Sequence, residues 1–464
     1  MAARDDATGL EQRLLVELAL VGQGAAPELA RRLGLSQPTF SRLAGKMGER
    51  LLVTGNARST RYAARRTVTD VGDRLPIYAI SERGAAKRVA VLHALLPEAW
   101  YVEQKDARID SAFYADLPYF LDPLRPAGFL GRLVPGQHPE LEAPSDVRSW
   151  SGTQVVRYAA RFGWNLPGDL IVGDEAFERY VEHAKAPPDV VAPRARGHRY
   201  PELAAGVLAP TPGSSAGGEQ PKFLVSRPDG VALLVKFSAA TANAVGRRTA
   251  DLLVAEHIAH ETLRRHGHPA PQSRLYEARD RMFLEIERFD RTLHGGRRGV
   301  ISLMTLDAEF VGRLRSWSDS VEGLVTKRIA EPAALEATRW LELFGRLIGN
   351  SDMHGGNLSF FSNGIRVLGL TPTYDMLPTR YSPQSGNLPG DPLDLLAPSP
   401  RDGPGWDSAS HAAADFWRKV AGDSRISKAF RRLATANAER VGAWRKLGVL
   451  LPDAPRRPER GRAG

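Results

Sequence analysis

Apolar residues in "EQRLLVELALVG" fall at Leu14, Leu15, Leu18 and Val21, the spacing of one helix face. In the following "APELARRLGLSQPTFSRLAGKM", Pro27 can open a helix and Gly34 can end it with a tight turn. Ser36 is a good N-cap for a further helix over residues 37–47, and Ala30, Leu35 and Leu43 would close the joint between the two. This is a helix-turn-helix pattern. "RLLVTGNARSTRYAA" then reads as strand, turn, strand, and "RLPIYAIS" as another strand, together resembling a wing. Residues 84–100 read as helical. Residues 100–144 are rich in Pro and aromatics and read as ordered but irregular, and 184–203 read as a linker or exposed loop. Further on, "VALLVKFS" (231–238) reads as an apolar strand and residues 247–266 as a helix. "VLGLTPTYDML" reads as a short strand leading to Asp375.

Composition sharpens this reading at two points. The 464 residues are 42% apolar, enough for two or three domains with real cores, and include no cysteine. Disulfides and Cys-ligated zinc are excluded, and a reducing cytoplasm suits the chain. "MAARDDATGL" lacks the apolar run of a signal peptide, and no stretch reaches membrane-span length, so no membrane partner is expected. Of a net charge of +10, the first 66 residues carry +5, from 11 Lys/Arg against 6 Asp/Glu. A basic end invites a polyanion. Gln37, Thr39, Ser41, Arg42 and Lys46 on the outer side of the second helix, with Arg58 and Arg61 near the wing tip, are groups that reach grooves and phosphates of duplex DNA. A two-helix protein-interaction module would share the same pattern.

The candidate chemistry lies in the second half. "TPGSSAGGEQPKFLVS" (211–226) offers small residues, among them Ser214, Ser215, Gly217 and Gly218, whose backbone can approach a phosphate closely. Lys236 sits in an otherwise apolar strand and needs a counter-charge or an anionic ligand; Glu256 on the next helix can supply the first. "IGNSDMHGGNLSF" (348–360) places Asp352 and Asn357 at the spacing of the catalytic Asp and Asn in protein kinases. A phosphotransferase needs one carboxylate at the acceptor hydroxyl, and an Asn and a second carboxylate on Mg²⁺; Asp352, Asn357 and Asp375 can fill these roles. His354 can touch substrate or phosphate, or brace the loop by hydrogen bonding. His257 and His260, near Glu261, lack an evident third ligand for a metal.

At these residues the chain resembles the HipA family of bacterial serine/threonine kinase toxins. "GNSDMHGGNLSF" is similar to the family's catalytic loop, "IERFDR" (286–291) to its lobe-linking segment, "YDML" to its metal motif and "SSAGGEQPKF" to its phosphate loop. The likeness covers roughly residues 200–450, and the preceding winged helix and "RPAGFLGRL" (125–133) are similar to the YjjJ (HipH) branch. The resemblance implies an α+β, bilobal HipA-like protein-kinase fold preceded by a winged helix-turn-helix domain. The expected divisions are residues 1–100 for DNA binding, 101–200 as a connecting region, 201–290 as the kinase N-lobe, 291–452 as a helical C-lobe and 453–464 as a disordered basic tail.

It further implies Asp352 as catalytic base, Asn357 and Asp375 on Mg²⁺, and Lys236 on ATP phosphate. Glu287 and Phe289 would meet the adenine through their backbone, and Ser215, or else Ser214, would be the autophosphorylated serine that switches the enzyme off. Gly356 departs from the family's usual Lys and Pro221 from its frequent Glu, the first leaving phosphate charge less neutralised. The expected partners are ATP, a protein Ser/Thr substrate and duplex DNA; a DNA-binding domain of its own leaves the need for a separate antitoxin open. Two other functions stay open from the residues: a DNA-binding regulator with a degenerate kinase-like sensor domain, and a small-molecule phosphotransferase.

Overall fold

The computed structural model describes residues 2–186, 189–209, 220–395 and 400–446. Two compact units emerge, residues 1–127 with 134–186, and residues 128–133 with 187–464.

The first unit opens with helices Ala2–Val21, Ala26–Leu33 and Gln37–Met47. Gly34 takes φ 70° and lets the second helix end in a left-handed turn, and the Ser36 hydroxyl caps the third by accepting the Thr39 N–H at 3.3 Å. Leu14, Leu18, Leu29, Ala30, Leu33, Phe40, Leu43 and Met47 form their common core, with Leu35 packed against it. Strands Leu51–Thr54 and Arg61–Ala64 pair antiparallel as the expected hairpin. The third expected strand does not join them. Arg74–Ile80 lies in a separate five-stranded antiparallel sheet with Ala86–Leu95, Ala99–Gln104, Ala112–Tyr114 and Leu170–Val172. The helix expected over 84–100 is therefore strand. Seven consecutive residues of Ala86–Leu95 are buried, so both faces are covered and the two-residue alternation that marks a strand is absent. A division at residue 100 falls inside the strand Ala99–Gln104.

In the second unit, the last part of the expected loop over 184–203 is not loop: Arg196–Leu208 is a helix with Pro201 inside it. Its Arg and Pro content masked an apolar face, in which Tyr200 and Ala204 pack on a four-stranded sheet through Phe223, Val235, Phe237 and Phe283. That antiparallel sheet is ordered Ser273–Ala278, Arg281–Glu287, Ala232–Phe237, Lys222–Ser226. Helix Ala244–Arg265 packs against it, capped by the Asn243 side chain. A small sheet (Gly299–Ser302, Ser359–Asn363, Arg366–Leu370) and helices Trp317–Thr326, Pro332–Leu347, Trp406–Gly422 and Lys428–Lys446 complete the unit. Phe344, Tyr381, Phe416, Trp417 and Phe430 are fully buried there, and the Trp417 indole N–H donates to Leu347 O at 3.0 Å, fixing the helix end that leads to the Asp352 loop. Among the described residues no helix is long and apolar enough to cross a membrane.

Candidate active site

Period-two alternation in Ala232–Phe237 sends Leu233, Val235 and Phe237 into the core under Arg196–Leu208, and Lys236 to the opposite face. Lys236 is 4% exposed, and its ammonium donates to Glu256 Oε1 at 2.6 Å and to Asp375 Oδ1. One buried cation thus faces two carboxylates, separated from it by 20 and 139 residues in sequence. Burial opposes the Lys236 charge, but Asp375 and Glu256 outweigh it and raise its pKa. Burial pushes the Asp375 carboxyl up; the charges of Lys236 and Lys222 reverse this and hold it well below the usual range. Glu256 goes the other way, because its complete burial outweighs the attraction of Lys236, and its Oε2 has no hydrogen-bond partner among the described residues. Burial and the Lys236 charge depress nearby His260 to about 3, so it is neutral. His260 and His257 both reach the Ser273 hydroxyl, at 3.1 and 3.0 Å.

The Asp352 loop follows helix Pro332–Leu347, with Gly349 at φ 77° making the turn. Asn350 ties this loop to the Asp375 loop. Its Oδ1 accepts the Asp352 N–H at 2.9 Å and the Thr379 hydroxyl at 3.0 Å, and its amide donates to Asp375 O at 3.4 Å. The Asn357 amide donates to Asp352 O at 2.8 Å, closing the loop on itself and leaving Asn357 Oδ1 as a hard oxygen. The Asp352 side chain is 62% exposed. Tyr374 OH bridges Gly356 O and the Ser359 hydroxyl, at 2.7 Å each. His354 braces the loop: its Nδ1 accepts the Gly356 N–H at 3.0 Å, and its carbonyl accepts the Trp317 indole N–H at 2.9 Å. A Cβ on Gly356 would lie 2.8 Å from His354 Cε1, so the imidazole occupies the room that a side chain at the family's lysine position needs.

Glu287 ends strand Arg281–Glu287, where its N–H donates to Gln272 O at 2.9 Å and its carboxylate takes Arg227 at 2.8 Å. Any adenine contact at Glu287 would therefore use its carbonyl. Phe289 packs on Tyr374, centroids 5.7 Å apart, next to Asp375. Ser214, Ser215, Gly217, Gly218 and the tail 453–464 lie outside the described residues. Among the described residues no group of three or more His, Asp or Glu side chains is placed to hold a metal ion. Asn357 and Asp375 would supply one amide and one carboxylate oxygen to a metal whose remaining ligands are phosphate oxygens and water. These two would suit a hard cation: Asp375 is kept ionised, and the loop's own bond uses the Asn357 amide nitrogen rather than its oxygen.

Sequence reading passed over Asn350 and Lys222. Asn350 is the first Asn of the quoted loop, and Lys222 pairs in register with Lys236. In the first unit, Gln37, Ser41, Arg42, Arg58 and Arg61 are exposed, and Thr39 is half-buried with its hydroxyl on Ser36. Lys46, also exposed, is held by Glu11 at 2.9 Å, as is Arg50.

Residues 71–181 match the YjjJ-like toxin middle domain, and residues 214–441 the HipA-like C-terminal domain. Among solved structures, the chain is similar to HipA of Shewanella oneidensis MR-1, from the complex of HipA, HipB and operator DNA. The TM-score is 0.42 at 15% identity, covering 82% of this chain and 92% of that one. The Helicobacter pylori proinflammatory kinase CtkA gives a TM-score of 0.37 at 12% identity, covering 49% and 94%. Toxin YjjJ of Escherichia coli (strain K12) is 36% identical over 435 residues, which is 92% of this chain and 97% of that protein. On that near full-length identity and the two matched regions, the chain belongs to the HipA-like family of YjjJ toxins.

Proposed function

We propose that the chain is a cytoplasmic, Mg²⁺- and ATP-dependent serine/threonine protein kinase of toxin type, with residues 1–66 as its DNA-reading part. The observation that carries the enzymatic reading is Lys236 buried between Glu256 and Asp375, in the same unit as the exposed Asp352. A lysine so placed is preorganised to meet phosphate charge, and Glu256 fixes its direction. Asp352 accepts the proton of the acceptor hydroxyl and orients it in line with the transferred phosphoryl group. Asn357 and Asp375 hold the metal, which would supply neutralisation of phosphate charge. Asn350 keeps both loops in register, and His354 together with Tyr374 prevents the Asp352 loop from relaxing.

Ser215 belongs to the same proposal as the site of slow autophosphorylation. A phosphate there adds nearly two negative charges to a phosphate-binding loop and so weakens ATP binding. Intact-mass and peptide mass spectrometry after incubation with ATP checks this: modification at Ser215 that disappears in Asp352→Ala is expected, and an active enzyme with Ser214 and Ser215 both unmodified speaks against it.

A DNA-binding regulator with an inert kinase-like domain remains the competing reading. Arg42 and Arg58, without a partner among the described residues, serve it equally, but it does not need the Lys236 cluster. A phosphoproteomic comparison of cells expressing the chain and its Asp352→Ala variant separates the two. New Ser/Thr phosphorylation confined to the wild type is expected; identical phosphoproteomes favour the regulator.

A further inference from the structure

Beside the Asp352 loop runs the segment 312–316, Gly-Arg-Leu-Arg-Ser, between helices Leu303–Phe310 and Trp317–Thr326. It is pinned from below. Asp307, 2% exposed, accepts the N–H groups of Arg313 and Leu314 on its carboxylate, at 3.0 Å each, and those of Val311 and Gly312 on its carbonyl, at 2.8 and 2.6 Å. The pinned backbone carries Leu314 at φ 26°, a conformation that bulky side chains rarely adopt and that recurs at functional sites. What this rare geometry achieves is display. Leu314 is 45% exposed and, with Met304 at 47%, forms an apolar ledge.

The ledge is continuous with the Asp352 loop. A Cβ on Gly355 would lie 2.7 Å from Leu314 Cδ1 and 3.0 Å from the Met304 backbone. Arg313 and Arg315 flank the ledge, both exposed and without an ion pair or side-chain hydrogen bond among the described residues. Past the other end of the loop, Arg380 is likewise exposed without a carboxylate partner among the described residues, and lines a cleft with Ser351, Arg346 and Asp394. Elsewhere in this unit arginines commonly hold acids, as Arg227 does Asp229, Arg288 does Asp290 and Arg445 does Asp407.

We propose that Leu314, Met304, Arg313, Arg315 and Arg380 form the acceptor-docking surface, and that it selects a protein segment with acidic residues beside the phosphorylated hydroxyl and an apolar residue for the ledge. The inference rests on the kinase reading and adds the substrate class. Charge complementarity selects the occupant: exposed arginines on both sides of the loop attract and steer an acidic segment and offset its repulsion by the exposed Asp352. An acidic protein segment fits better than nucleic acid, because the apolar contacts offered here are Leu and Met rather than the aromatic faces on which bases stack.

The test is a positional-scanning Ser/Thr peptide array with the full chain, Mg²⁺ and labelled ATP, run beside the Arg313→Glu/Arg315→Glu and Arg313→Ala/Arg315→Ala variants. Binding of a fluorescent ATP analogue and thermal melts are measured in parallel. The expected wild-type preference is Asp or Glu near the acceptor. The Ala pair weakens it, and the Glu pair lowers kcat/KM on acid-flanked peptides about tenfold or more and shifts preference toward Lys or Arg, with nucleotide binding and melting unchanged. Phosphorylation with the same preference in all three proteins overturns the docking surface and leaves the kinase reading standing. Competition by RNA or DNA, but not by acidic peptide, that depends on Arg313 and Arg315 overturns it in favour of nucleic acid. ATP binding without transfer to any peptide or to any protein of a cell lysate overturns both readings.

Discussion

Lys236 is the residue on which the most charge depends, and its removal is expected to be costly. Lys236→Met leaves Glu256 and Asp375 facing each other with no cation between them. Breaking a buried ion pair from one side typically costs about 3–5 kcal/mol, and urea unfolding should register a loss of that order. Asn350→Ala acts differently. It removes the acceptor for the Asp352 N–H and the donor to Asp375 O, so the two carboxylates lose their common reference. Turnover is expected to fall on the order of 10- to 100-fold with ATP affinity little changed, because positioning rather than binding is lost. A fall in ATP affinity with kcat preserved would count against that role. His268 offers a pH signature outside the site. Burial and the His266 charge depress it to about 4, and it stacks on Trp340 with centroids 3.7 Å apart. Its ordinary value is about 6.5, so as pH falls from about 6.5 to about 4 the unfolded chain takes up a proton that the folded one refuses, and stability drops. Measured by urea midpoints over that window, the wild type should lose ground relative to His268→Gln as pH falls.

At the scale of elements, the helix Gln37–Met47 carries the DNA-binding expectation, and its details rank its residues. Arg42 is exposed and has no partner among the described residues, whereas Lys46 must first leave Glu11. Arg42→Ala should therefore weaken binding of the full chain to duplex DNA more than Lys46→Ala does. If about five phosphates are contacted, log K should fall against log[salt] with a slope near −4 to −5. Fluorescence anisotropy across a salt series checks both statements; equal effects of the two substitutions, or binding that ignores salt, would contradict them. This helix was legible in the sequence, because Gly34 and Ser36 are local signals that act on the backbone beside them. Ala86–Leu95 was not legible, because burial on both faces comes from the rest of its sheet and leaves no alternation in the strand. Arg196–Leu208 was hidden by composition. Its Arg196 and Tyr200 read as loop residues, yet both are buried against Glu285, a partner 89 and 85 residues away.

For the molecule as a whole, the candidate site was readable as an ordered list of residues but not as an electrostatic arrangement. Lys236, Glu256, Asp352, Asn357 and Asp375 could be named from spacing, and the Lys236–Glu256 pairing was expected. That Lys236 also holds Asp375, and that Asn350 joins the two loops, depend on contacts that local pattern does not encode. Gly356 shows the same limit: in sequence it is a missing lysine, and in space it is the room taken by His354. The central claim is that this constellation transfers phosphate, and ³²P transfer from ATP by the full chain with Mg²⁺ tests it most directly. Wild type should label protein Ser/Thr, and Asp352→Ala and Asp375→Ala, melting like the wild type, should fall on the order of 10²-fold or more. Labelling by Asp352→Ala at the wild-type rate would contradict the account.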